Sequence, residues 1–145
     1  MTQVDFYQLS RDPAETVLAL IAGKVLDSGQ RLLVVAGDAA LRQRIAAALW
    51  EGKDSFLAHG EAGGAHDARQ PILLSDKVAP ANAARFVAFA DGVWRDEALD
   101  FDRVFLLFDE ATIEAARANW RSLDGRDGVE RRYWRQEDGK WIKAG

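Results

Sequence analysis

Short apolar runs alternate along the chain with stretches whose apolar residues recur every three or four positions, and this alternation predicts strands interleaved with helices. Residues 4–9, 31–35, 71–75 and 104–108 read as strands. The last three are apolar over most of their length, which suits strands covered on both faces. After the first strand, Asp12, Pro13 and Glu15 occupy the N-cap, N1 and N3 positions of a helix. Its buried stripe is Ala14, Val17, Leu18, Ile21 and Val25, and Gly29 closes it. Strand, helix, strand, helix implies a parallel pair joined by a right-handed crossover. Residues 84–90 set Phe86, Ala88 and Ala90 against Val87 and Phe89, a pattern that fits either a short helix or a strand.

The richest stretch follows the strand at 104–108. Asp109 is placed to cap a helix, Glu110 complements the positive end of its dipole, and Ile113, Ala116, Trp120 and Leu123 form its buried stripe. Arg117 and Arg121, four residues apart, project from one face with Trp120 close by. Two guanidinium groups flanking an indole suit a ligand that carries carboxylates and an aromatic ring. Beyond Gly125 and Gly128, residues 131–135 and 140–143 flank Asp138-Gly139, a strong hairpin signal. The chain should therefore close on a basic, aromatic β-hairpin.

The second helix, which runs to about Trp50, buries Leu41, Ile45, Ala48 and Leu49, yet Trp50 lies roughly 180° from Leu41 at about 100° per residue. Two readings stay open there. Either the last turn frays and the ring folds under the following loop, or Trp50, with Phe56 and Leu57, forms an exposed patch for another protein. The glycine-rich loop at 58–68 holds both histidines, His59 and His66, beside Glu61 and Asp67. No regular spacing fixes their geometry, so a connector is the stronger reading than a metal site.

Composition narrows the functional classes. A length of 145 residues fits one domain, residues 1–145, with 48% apolar and 29% charged residues as in an ordinary globular protein. No apolar run reaches membrane-spanning length, and the start lacks a secretory signal, so a cytoplasmic protein is expected. With no cysteine in the chain, disulfides, thiolate metal sites and cysteine nucleophiles are excluded. The net charge of −4 conceals an asymmetry: residues 117–143 carry eight Lys or Arg against five Asp or Glu, or +3, which leaves −7 for the rest. A basic end on an acidic body points to an acidic partner, and Trp120, Tyr133, Trp134 and Trp141 fall in that same window.

No phosphate loop, dinucleotide fingerprint or nucleophile elbow occurs, so no catalytic residue, cofactor or metal site is expected. Gly37-Asp38 follows the second strand where an α/β fold can bind phosphate, but Asp38 would repel it.

Taken in order, Phe6-Tyr7 with Leu9, Leu49-Trp50, Ser55-Phe56-Leu57 with His59, the strands at 70–74 and 105–109, Ala116-Arg117, Trp120-Arg121, Tyr133 and Lys140-Trp141 resemble the chi subunit of bacterial DNA polymerase III holoenzyme. The resemblance runs nearly end to end. It implies a three-layer, Rossmann-like α/β domain with a mostly parallel central sheet and the C-terminal hairpin, and an adaptor rather than an enzyme. Chi pairs with the psi subunit, which attaches to the clamp loader, and grips the acidic C-terminal tail of single-stranded DNA-binding protein. On that resemblance Arg117, Trp120 and Arg121 match the tail-binding positions, Leu106 lines the pocket, and Trp50 and Phe56 match the psi-facing aromatics. A helicase is a further candidate for the same surface, and direct contact with DNA is not expected. Two alternatives stay open: a single-stranded nucleic-acid module using Trp134 and Trp141 as stacking platforms, and a nucleotide-dependent enzyme lacking a recognisable phosphate loop.

Overall fold

A computed structural model describes residues 1–51 and 57–145. The elements run β1 (Thr2–Gln8), α1 (Ala14–Asp27), β2 (Leu32–Val35), α2 (Ala39–Trp50), β3 (His59–Glu61), β4 (Ile72–Ser75), β5 (Phe86–Phe89), β6 (Arg103–Phe108), α3 (Ile113–Ser122), β7 (Val129–Glu137) and β8 (Lys140–Lys143), with two short 3-10 turns at Asp67–Arg69 and Asp96–Asp100. The strands form one sheet in the order β3-β4-β2-β5-β6-β1-β7-β8, parallel throughout except for the β7–β8 hairpin.

Alternation along each strand builds the three layers. On one face Leu32, Val34, Ile72, Leu74 and Phe105 meet the stripes of α1 and α2. On the other, Phe6, Leu33, Val35, Leu106 and Phe108 meet Ala116 of α3 and Leu123, which caps its C-terminal end. Residues 84–90 resolve as a strand because β5 lies between β2 and β6, where both edges of the backbone find partners. The expected hairpin turn is present. Asp138 and Gly139 adopt φ of 50° and 78°, the left-handed pair that a two-residue type I′ turn demands.

Four local expectations change. First, β1 and β2 are parallel but not neighbours, since β5 and β6 separate them; a crossover can skip strands, and later strands decide which gap it spans. Second, the glycine loop contains β3, a three-residue strand on the far edge that is too short to leave a periodic signal. Third, Asp12 does not cap α1. The helix begins at Ala14 after an extended Pro13, and the Asp12 carboxylate accepts a hydrogen bond from Gln136 Nε2 at 2.8 Å instead. Fourth, α3 begins at Ile113 rather than directly after Asp109. Asp109 Oδ1 accepts from the Ala111 and Thr112 amides at 3.0 and 3.2 Å, so it organises the turn that precedes the helix.

Candidate functional site

The start of α3 is fixed by close packing. Gly92 (φ 73°) leaves room for Thr112, whose Oγ1 would lie 2.5 Å from a Cβ at that position. From there Ala116 and Leu123 point into the core, Trp120 is half-buried, and Arg117 and Arg121 face solvent. The Trp120 ring meets Phe6 and Tyr133 edge to face at 5.3 and 5.6 Å, and the Arg131 guanidinium lies over it at 3.9 Å. Arg131 also donates to the Trp120 carbonyl at 2.6 Å and pairs with Asp124 at 2.8 Å, locking the end of α3 onto β7. Arg131 is a contact that helical spacing does not reveal. Its signal was the two-residue period of β7, which places Arg131 on the same face as Tyr133.

Arg117 pairs with Glu114 at 3.3 Å, and both side chains are exposed. Such a pair contributes at most about 1 kcal/mol and exchanges readily for another carboxylate. The side chain of Arg121 makes no hydrogen bond or salt bridge among the described residues. Behind them the Tyr133 hydroxyl donates to Gln8 Oε1 at 2.5 Å. Burial pushes its pKa up, and the Arg117 and Arg135 guanidinium groups partly offset the rise. Leu106 lies wholly buried in β6, in the same cluster as Ala116 and Trp120, so it supports the wall rather than lining its surface.

The basic, aromatic window at the C-terminal end does not form one patch. β7 pairs in parallel with β1 along Thr2–Gln8, and its alternating residues separate onto two faces. Tyr133 joins α3, whereas Trp134 and Trp141 pack on the opposite face around Tyr7, at 6.3 and 5.1 Å between ring centres. Trp134 and Trp141 are therefore divided by the sheet from Arg117, Trp120 and Arg121.

Tyr7 itself carries a measurable signature. Burial, reinforced by the nearby Asp5 carboxylate and opposed by Arg103, pushes its pKa up to about 12. Because the folded value exceeds the unfolded one, the stabilisation is complete below pH 10 and is lost as pH rises towards 12. The loss should reach roughly 2 kcal/mol. Tyrosinate absorbance should rise well above pH 10 in the folded protein, and Tyr7→Phe should flatten the alkaline fall in stability. A normal titration of both tyrosines near pH 10 in the folded state would contradict this.

A family model described as DNA polymerase III chi subunit, HolC, matches residues 1–130. The chain belongs to this chi family. No curated protein matches it. The family is an accessory subunit of DNA polymerase III, which places the chain in replication. The matched span covers β1 to α3 and ends in β7, so Tyr133, Trp134 and Trp141 lie beyond it.

Two further regions of this chi-family chain bear on function. Trp50 closes α2 and is 68% exposed, as its helical angle predicted, while Phe56 lies outside the described residues. In the glycine loop the carboxylates proposed beside the histidines have other partners. Glu61 binds Arg42 at 2.6 Å, and Asp67 accepts from the Gly63 and Gly64 amides at 2.9 and 3.1 Å. Beyond the carboxyl ends of the strands, where folds of this type commonly bind ligands, lies a crevice of about 800 Å³. Six carboxylates line it (Asp12, Glu15, Asp38, Asp91, Asp109 and Glu110) against Arg11 and Arg44. That excess of negative charge opposes phosphate binding. Asp91 spans the crevice wall with hydrogen bonds from Arg95 at 2.9 Å and from the Gly37 amide at 3.0 Å; burial raises its pKa, but these donors outweigh it and hold the group below the usual carboxylate range. No described helix is long and apolar enough to cross a membrane.

Proposed function

We propose that this chain is a non-catalytic adaptor of the clamp-loader complex, holding the acidic C-terminal tail of single-stranded DNA-binding protein on the α3 face and pairing with the psi subunit through the end of α2. One observation carries the reading. Arg117 and Arg121 stand on the exposed face of α3 beside half-buried Trp120, the first held by the exposed Glu114 carboxylate and lying against the Tyr133 hydroxyl, the second without a side-chain partner among the described residues. Guanidinium groups suit tail carboxylates, and the part of the indole left exposed beside Gly145, which packs against its Tyr133 edge, offers an apolar contact for a terminal phenylalanine. The exposed Trp50 supports a second, separate protein contact on the helix layer opposite α3.

The test is a titration with a labelled acidic peptide ending in Asp-Asp-Ile-Pro-Phe. Arg117→Ala and Arg121→Ala should each weaken binding about tenfold, and removal of the final Phe should weaken it at least as much. Melting temperature should change little in the arginine variants, since both residues are exposed. Equal affinity of wild type and variants would reject the α3 site.

A further inference from the structure

The sheet face opposite α3 carries a second cavity that the adaptor reading does not use. Between α1 and the β7–β8 hairpin lies a groove of about 470 Å³, within the roughly 300–1,000 Å³ typical of ligand sites. One wall is aliphatic, formed by α1 residues such as Leu20 and Ile21; the other is aromatic, formed by Tyr7, Trp134 and Trp141. Leu20 is 58% exposed at the rim, where continuous apolar surface on a free protein marks a contact site.

Charge defines the occupant. Lys24, Arg103 and Arg132 line the groove and no carboxylate does. Arg103 is held by Asp5, which is fully buried beneath it, and Arg132 by Glu130. Lys24 makes no salt bridge among the described residues, and strand register sets Lys143 opposite Trp134 on the same face. Anions are thus favoured at the rim, while the slot below favours an apolar side chain. A nucleobase in that slot would press its polar edge against the aliphatic wall of α1 and lose its hydrogen bonds, a cost that an apolar side chain does not incur. Arg132, Trp134 and Trp141 also lie beyond the residues matched by the family model.

We propose that the groove between α1 and the β7–β8 hairpin is a second docking site, for an acidic polypeptide segment that inserts an apolar side chain between Leu20 and Trp134. The site is independent of α3, and its failure would leave the α3 reading untouched.

The probe is the blocked peptide acetyl-Asp-Glu-Leu-Phe-Asp-Glu-amide, which has no terminal carboxylate, followed by the indole N–H resonances of the isotope-labelled full chain. Saturable shifts at Trp134 and Trp141 are expected. Leu20→Glu and Lys24→Glu, both at exposed positions of α1, should weaken binding about tenfold with unchanged circular dichroism. The Arg117→Ala/Arg121→Ala double variant should bind this peptide as well as wild type. The proposal is overturned if Trp134 and Trp141 do not shift, if both α1 variants bind normally, or if the double variant loses binding. Shifts produced by a ten-residue oligothymidylate and not by the peptide would overturn it in favour of nucleic acid.

Discussion

Replacing Trp120 by alanine is expected to lower stability by about 2–4 kcal/mol and to abolish detectable binding of the acidic tail peptide. The ring joins three elements. It touches Phe6 of β1 and Tyr133 of β7, and it supports the Arg131 guanidinium that ties the end of α3 to the sheet. Truncation removes these contacts together and leaves Arg131 without its ring, so the end of α3 that carries Arg117 and Arg121 loses its anchor on the sheet. Trp120→Tyr should keep most of both properties, since a shorter ring still reaches Phe6. Urea unfolding with a matched peptide titration separates the effects. A variant that folds as stably as wild type but fails to bind would make the ring a pure contact residue, and one that binds normally would remove Trp120 from the site.

Asp5→Ala is expected to cost about 3 kcal/mol, read as a lower urea midpoint at unchanged slope. Asp5 is fully buried in β1 and is the hub of a polar network on the α1 face. Its Oδ2 accepts from Arg103 Nε at 2.9 Å and Gln3 Nε2 at 3.1 Å, and Oδ1 accepts from Trp134 Nε1 at 3.1 Å. Alanine deprives three donors at once, and one of them belongs to a guanidinium only about one-third exposed. Trp134→Phe, which deletes a single donor, should cost about 1 kcal/mol. The Asp5→Ala/Trp134→Phe double variant should lose less than the sum of the two single losses, because the Trp134 donor is already unpaired once Asp5 is gone. Strict additivity would show that the indole does not depend on the carboxylate. This network also shapes the floor of the groove between α1 and the hairpin, so Asp5→Ala should blur the indole signals of Trp134.

The two sites show how far a linear reading reaches. Arg117, Trp120 and Arg121 were legible because they share one helix, where a spacing of three or four residues is itself a statement about proximity. The same logic placed Trp50 on the outside of α2. It failed for Trp134 and Trp141, grouped with Trp120 by nearness in sequence. In a strand, nearness in sequence means opposite faces, so Tyr133 went to α3 and its neighbour Trp134 to α1. Asp12 and Asp109 were misplaced by a residue or more for a related reason. A carboxylate near a helix start has several amides and side chains within reach, and spacing alone does not choose among them.

By itself the sequence determined the class of fold, its alternating elements, the type I′ hairpin and the α3 cluster, because each depends on periods of two or 3.6 residues or on the conformations open to Asp-Gly. The tertiary structure decided what depends on partners distant in the chain. It inserted β5 and β6 between β1 and β2, and laid β7 in parallel along β1. It turned Asp5, an unremarked residue of the first strand, into the acceptor for Arg103 and Trp134, 98 and 129 positions away. Strand order and side-chain pairing are chosen by competition among many nearly equivalent edges, and only simultaneous burial of both sheet faces resolves that competition.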